Sequence, residues 1–274
     1  MGDLDRILNV LSEVRRRLFR IAFVLGPIFG FLLTFELRPY RLEVGPVTVP
    51  ILYPYPSLFY NVSAQVFLAL KGWLLPSGVT LLNLGVGDSV IAQLEIGALL
   101  TVILGMPWIV HEVGAFLIPA MRHNERELLR RIGIPATALF AAGTLTGLLY
   151  LTPLTFRLLF AYVHAMGAAP VLGIESFVEF ALLYSLAFGV AFELPVFVYG
   201  LTRLGVVSAG AWARHWRGAV VGALVFGMIV TPDNSGITML LVATPMIGLY
   251  FAGVWFARRW ESARTPPPAL AQAV

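Results

Sequence analysis

Residues 106–129 read MPWIVHEVGAFLIPAMRHNERELL, and within them an apolar run gives way to charge, with Glu125 set between Arg122, Arg126 and Arg130. Whether that apolar run belongs in lipid or in a soluble core decides the fold. Composition answers it. Hydrophobic residues make up 58% of 274, charged residues 12%, and mean hydropathy is +0.83, against about 45–50% and about 25% in an ordinary soluble domain. The chain is therefore expected to be an all-α, polytopic membrane protein, one domain over residues 1–260 followed by a disordered cytoplasmic tail, 261–274. Cysteine is absent, which excludes disulfides, Cys-zinc sites and thiol nucleophiles.

Working outward from the quoted stretch, six spans are expected. Before the first, Leu4, Ile7, Leu8, Leu11, Val14 and Leu18 recur at three- and four-residue steps, so residues 1–17 predict a cytoplasmic amphipathic helix running into the membrane. Span one covers Leu18–Phe35, with Pro27 inside. Residues 36–88, rich in Pro and Tyr, predict an extracytoplasmic cap of turns, short strands or an interfacial helix at 58–75. Span two is Val90–Val113 and span three Ile132–Leu151, whose Gly143-x-x-x-Gly147 offers a face for close helix approach; Phe156–Met166 extends it outward. Span four, Phe177–Leu204, is broken at Glu193-Leu194-Pro195. Spans five (Gly218–Thr231) and six (Ile237–Phe256, interrupted by Pro245) are read as short.

Orientation follows from arginine. Of 19 basic residues 18 are Arg, and six spans place 15 of the basic residues on the side of both termini and 4 on the other. By the positive-inside rule the termini are cytoplasmic. This flanking distribution also explains the basic pI without nucleic acid. No nucleotide-binding, zinc-protease or serine-hydrolase motif occurs, the four His are scattered, and no cofactor or metal is expected.

Carboxylates at the inner face remain, together with one inside the membrane. Glu13 stands one turn before Arg17, and Glu125 follows span two; either alone reads as a surface charge, but both flank spans on one side, where carboxylates take guanidinium groups bidentately. Glu193 costs about 2.5–3.5 kcal/mol to place mid-span. It is either a protonated side chain bonded to backbone freed by Pro195 or a functional polar site.

The motifs LSEVRRRL (11–18), PWIVHEVGAFLIPAMRHNER (107–126), FGVAFELP (188–195) and TPDNS (231–235) resemble the TatC family of the twin-arginine translocase over roughly residues 9–260. The resemblance implies a cup-shaped, six-span, non-enzymatic protein of the cytoplasmic (inner) membrane. Such a protein binds Arg-Arg signal peptides of folded cargo and assembles with single-span TatA and TatB, and with further copies of itself, for export driven by the proton gradient. It also implies residue roles: Glu13 and Glu125 as signal-binding carboxylates, Arg15 and Arg17 structuring that site, Pro107 and Phe116 as further functional positions, Glu193 as the intramembrane polar residue and Asp233 as the acidic residue of the outer turn. The chain departs from the family pattern at His111-Glu112-Val113-Gly114, where Tyr-Gln-x-Trp is common, at Asn124, where His is usual, and at the start of span six, where an apolar residue such as Ile237 or Met239 replaces Gln. A proton-coupled secondary transporter using Glu193 is the alternative, although no internal repeat relates 18–131 to 132–256.

Overall fold

A backbone in lipid must satisfy its own N–H and C=O groups, and the apolar runs do so as helices. The computed structural model describes residues 3–44, 47–117, 123–231 and 236–264, with side chains except at 3–7, 9, 41–44, 47–50, 117, 123–131 and 264. In chain order these form α1 (Asp3–Thr34), β1 (Phe35–Val44), β2 (Val47–Pro56), α2 (Val62–Leu74), β3 (Thr80–Leu82), α3 (Asp88–Leu117) and α4 (His123–Thr146). A π-helical segment, Gly147–Leu151, then leads to α5 (Thr152–Ala165), β4 (Val171–Gly173), α6 (Ile174–Phe192), α7 (Leu194–Arg203), α8 (Ala209–Arg214), α9 (Trp216–Val230) and α10 (Ile237–Arg264).

Among the described residues, five apolar stretches are long enough to cross a membrane: Val10–Thr34, Asp88–Phe116, Ile132–Ala165, Ile174–Arg203 and Ile237–Ala263. The sixth span is α9, whose 15 residues cover roughly 22 Å, short of a ~30 Å hydrocarbon core. Two expectations change. Pro245 does not interrupt span six, because α10 runs through it for 28 residues; the Thr244 hydroxyl beside it donates back to the Leu240 carbonyl at 2.7 Å, a helical back-bond of the Ser/Thr kind. Only α9 is therefore short, and α10 carries its helix to Arg264, into the segment read as tail. The charged loop after span two is also mostly helical: α3 reaches Leu117 and α4 starts at His123, so Glu125 sits in a helical first turn, where an acidic residue suits the dipole.

The chain divides into two compact units, residues 1–116 with 148–183, and 117–147 with 184–274. In the first, β1 and β2 form an antiparallel ribbon in which Phe35 faces Pro56, Leu37 faces Pro54, Pro39 faces Leu52 and Arg41 faces Pro50. All four prolines fall in the same alternating set of pairs. That set must be the one whose backbone groups point away from the partner strand, since proline has no N–H to donate. Leu37 confirms it: its N–H and C=O are both taken from outside by the Gln65 amide, at 3.3 and 3.1 Å. The same helix, α2, closes the end of α1. Asn61 caps α2 by accepting from Ala64 N, and its amide donates to the carbonyls of Leu33 and Leu58 and to Gln93 Oε1. Ser57 N and Ser63 Oγ take the carbonyls of Thr34 and Leu32. Three carbonyls that a helix end leaves without partners are thus satisfied. Phe177, fully buried, centres the apolar core, with the rings of Phe156 and Phe67 against it at 5.8 and 6.0 Å.

In the second unit the expected Gly143–Gly147 face is occupied by α6. A Cβ at Gly143 would collide with the Phe188 carbonyl oxygen, and one at Gly147 would lie 2.6 Å from that of Tyr184. Gly189 answers from α6, against Thr144 and Phe140. On the far side, Val198, Ala209, Tyr250, Val254 and Ala257 form a buried cluster joining α7, α8 and α10. We expect Gly143→Leu to lower the detergent unfolding temperature, with overpacking costing about 1–3 kcal/mol. Gly248→Ala, where an added carbon meets nothing within 4 Å, should leave it unchanged or higher; thermal unfolding of the two variants checks this.

Candidate functional site

In the first unit, side chains of α1 settle against glycines of α3. A Cβ at Gly97 would lie 3.1 Å from Leu33, and one at Gly105 would lie 2.8 Å from Leu25. The two helices run antiparallel, so the next step along the same seam, about two turns on, sets Arg17 beside Glu112. There Arg17 Nη1 donates to Glu112 Oε2 at 3.2 Å and to the Glu112 carbonyl at 3.4 Å. Its Nη2 donates to Glu13 Oε1 at 2.7 Å and to the Ala115 carbonyl at 2.9 Å, and its Nε donates to Glu13 Oε1 at 3.2 Å. Five hydrogen bonds use the whole donor set of the guanidinium. The Ala115 carbonyl belongs to the last turn of α3, where a cation also meets the negative end of the helix dipole.

Exposure of these side chains is graded: 3% for Glu112, 16% for Arg17 and 39% for Glu13. Glu13 thus forms the open end of the cluster. A cavity of about 300 Å³ lies beside it, lined by Ser12, Glu13, Arg16, Arg17 and Arg20. Arg15 points elsewhere, exposed, with its guanidinium 5.6 Å from the Phe19 ring centre. Pro107 is exposed within α3 next to Trp108, which stacks on His111 at 5.4 Å, and Phe116 is half-buried at the end of that helix.

Glu193, in the second unit, occupies the break between α6 and α7. Its N–H bonds Val190 O at 3.1 Å and its carbonyl accepts from Phe197 N at 2.9 Å. The carboxyl oxygen Oε1 is buried and has no hydrogen-bond partner among the described residues, so the side chain does not cap the backbone freed by Pro195. That proline packs instead under Gly253 of α10. The Glu125 side chain lies outside the described residues, and so does all of Asp233.

The family model for the Sec-independent protein translocase protein (TatC) matches residues 9–245. The chain belongs to the TatC family. A TatC protein of Cenarchaeum symbiosum is 39% identical over 251 residues, covering 92% of this chain and 94% of that one. The chloroplastic TATC protein of Pisum sativum is 34% identical over 182 residues, covering 66% of this chain and 51% of that one. In fold, the chain matches a crystal structure of the twin arginine translocase receptor TatC with a TM-score of 0.72 at 24% identity, covering 91% of this chain and 98% of that one. As a TatC protein it is a multi-pass membrane protein with a role in twin-arginine protein export, a component of a complex with other Tat subunits and not an enzyme.

Of the residues singled out in the TatC-like motifs, the structure joins Glu13 and Arg17 and adds one that sequence reasoning passed over, Glu112. The signal was available: Glu112 is a carboxylate in an apolar stretch that has no Lys or Arg between Asp88 and Met121, so an arginine partner for it comes from another element. Arg17→Ala would leave the buried Glu112 carboxylate without that partner. We expect it to lower the unfolding temperature in detergent by several degrees, whereas Arg16→Ala, exposed and without an ion pair among the described residues, should not; parallel melts of the two variants decide.

Proposed function

We propose that this TatC protein is the signal-peptide receptor of the export system, with both termini cytoplasmic. The observation that supports it best is the placement of Glu13. One oxygen of its carboxylate is held by Arg17, while the side chain remains 39% exposed beside a cavity at the membrane end of α1. A fixed, partly open carboxylate suits a guanidinium, which it accepts through paired N–H···O bonds that an ammonium cannot reproduce. Glu13 takes one arginine of an Arg-Arg signal peptide and Glu125, assigned on sequence alone, takes the other. Binding positions the peptide without covalent chemistry, and its apolar segment then lies along the helices. Arg17 structures the site, Arg15 presents its charge on the neighbouring exposed face of α1, and Pro107 and Phe116 shape the α3 end.

TatA and TatB, single-span partners, complete the translocating complex, which the proton gradient drives. Glu193 marks their docking region: a buried carboxyl oxygen without a partner among the described residues is satisfied by a donor from an added helix. The 15-to-4 distribution of basic residues supports the orientation.

Purified chain should bind an Arg-Arg signal peptide much more tightly than its Lys-Lys twin, and Glu125→Lys should abolish that binding without loss of fold. Equal binding of both peptides, or unchanged binding by the variant, would sink the receptor reading. Orientation is checked separately. Because the chain has no cysteine, Arg214→Cys should react with an impermeant maleimide only from the cytoplasmic side, and Tyr60→Cys only from the opposite side.

A further inference from the structure

We infer that Glu112 is the charge that keeps Glu13 available to a peptide arginine: it neutralises Arg17 from behind, so that the Glu13 carboxylate retains its own negative charge toward the cavity. The inference rests on the receptor reading of Glu13 and adds to it a residue that does not touch the peptide.

The cluster holds two carboxylates and one guanidinium, a net charge of −1. Arg17 is shared between Glu112, which is 3% exposed, and Glu13, which is 39% exposed. Without the Glu112 charge, Arg17 and Glu13 would cancel and the cluster would be neutral. The surroundings make that charge matter. Arg16 and Arg20 line the same cavity and carry no ion pair among the described residues, so an approaching guanidinium meets two like charges. Ser12 adds a hydroxyl and no charge. Among the described residues lining the cavity, the Glu13 carboxylate is the one negative group.

Geometry fits a role exerted through Arg17. Glu112 holds one nitrogen, Nη1, through both its carboxylate and its own carbonyl, while Glu13 engages Nη2 and Nε. The guanidinium plane is thereby fixed from the buried side, and with it the orientation of Glu13 Oε1. The second carboxylate oxygen of Glu13 makes no hydrogen bond in the described structure, so it is free to accept from a ligand. Glu112 is thus a positioning residue with an electrostatic effect.

The charge and the shape can be separated. Glu112→Gln keeps an acceptor for Nη1 and the side-chain volume but removes the charge. With Arg-Arg peptide and full-length chain in detergent, it should weaken binding about tenfold at low salt and flatten the salt dependence. Arg17→Gln combined with Glu112→Gln returns the cluster to −1 on Glu13 and should recover most of that loss, although it disrupts the cage further. A purely structural role for Glu112 predicts the opposite order, with the double variant weaker than the single. Thermal unfolding of each variant is measured alongside. The inference is overturned if folded Glu112→Gln binds like the parent at every salt concentration, or if the double variant binds no better than the single. A parent chain that does not distinguish Arg-Arg from Lys-Lys peptide would instead remove the receptor reading itself, and this inference with it.

Discussion

The seam between α1 and α3, where Leu33 and Leu25 settle against Gly97 and Gly105, sets the register on which the Arg17–Glu112 end of the first unit depends. A side chain at either glycine would displace the ends of Leu33 or Leu25 of α1, and the next step of the seam carries charge. There a nearly buried carboxylate, Glu112, is tolerable only because a guanidinium arrives in register to meet it. Steric fit along the seam and the ion pair at its end thus belong to one register.

The same economy of polar groups governs the other end of α1. Its last carbonyls emerge where no further helical turn can satisfy them, and Asn61, Ser57 and Ser63 close them. Asn61 does this while capping α2 and bonding Gln93 of α3, so one side chain, 1% exposed, ties three elements of the first unit together. Isolated, such a residue reads as an ordinary polar position in a loop. Its function is visible only when every backbone group in the neighbourhood is accounted for.

Much of this was legible beforehand. Long apolar runs gave the spans, and Gly143-x-x-x-Gly147 gave the face on which α6 rests, because both signals are local. Glu193 was legible as a charge out of place. What was not legible depended on distant partners: that Glu112 meets Arg17, 95 residues away, that Pro245 is accommodated within a continuous helix, and that Glu125 begins a helix. Phe156–Met166 continuing span three was legible, but the π-helical segment at Gly147–Leu151 was not. Pro153 follows that segment and has no N–H with which to close a helical bond back onto it.

The register of the β1–β2 ribbon carries one more consequence. Two-stranded ribbons leave both outer edges open, and edges with unpaired N–H groups recruit further strands. Along β2 the outward positions at 50, 54 and 56 are all proline; along β1, position 39 is proline and the groups of Leu37 are taken by Gln65. Neither edge offers an unbroken row of donors. The ribbon therefore ends its own sheet at two strands, and a strand from any other protein finds no continuous edge to extend.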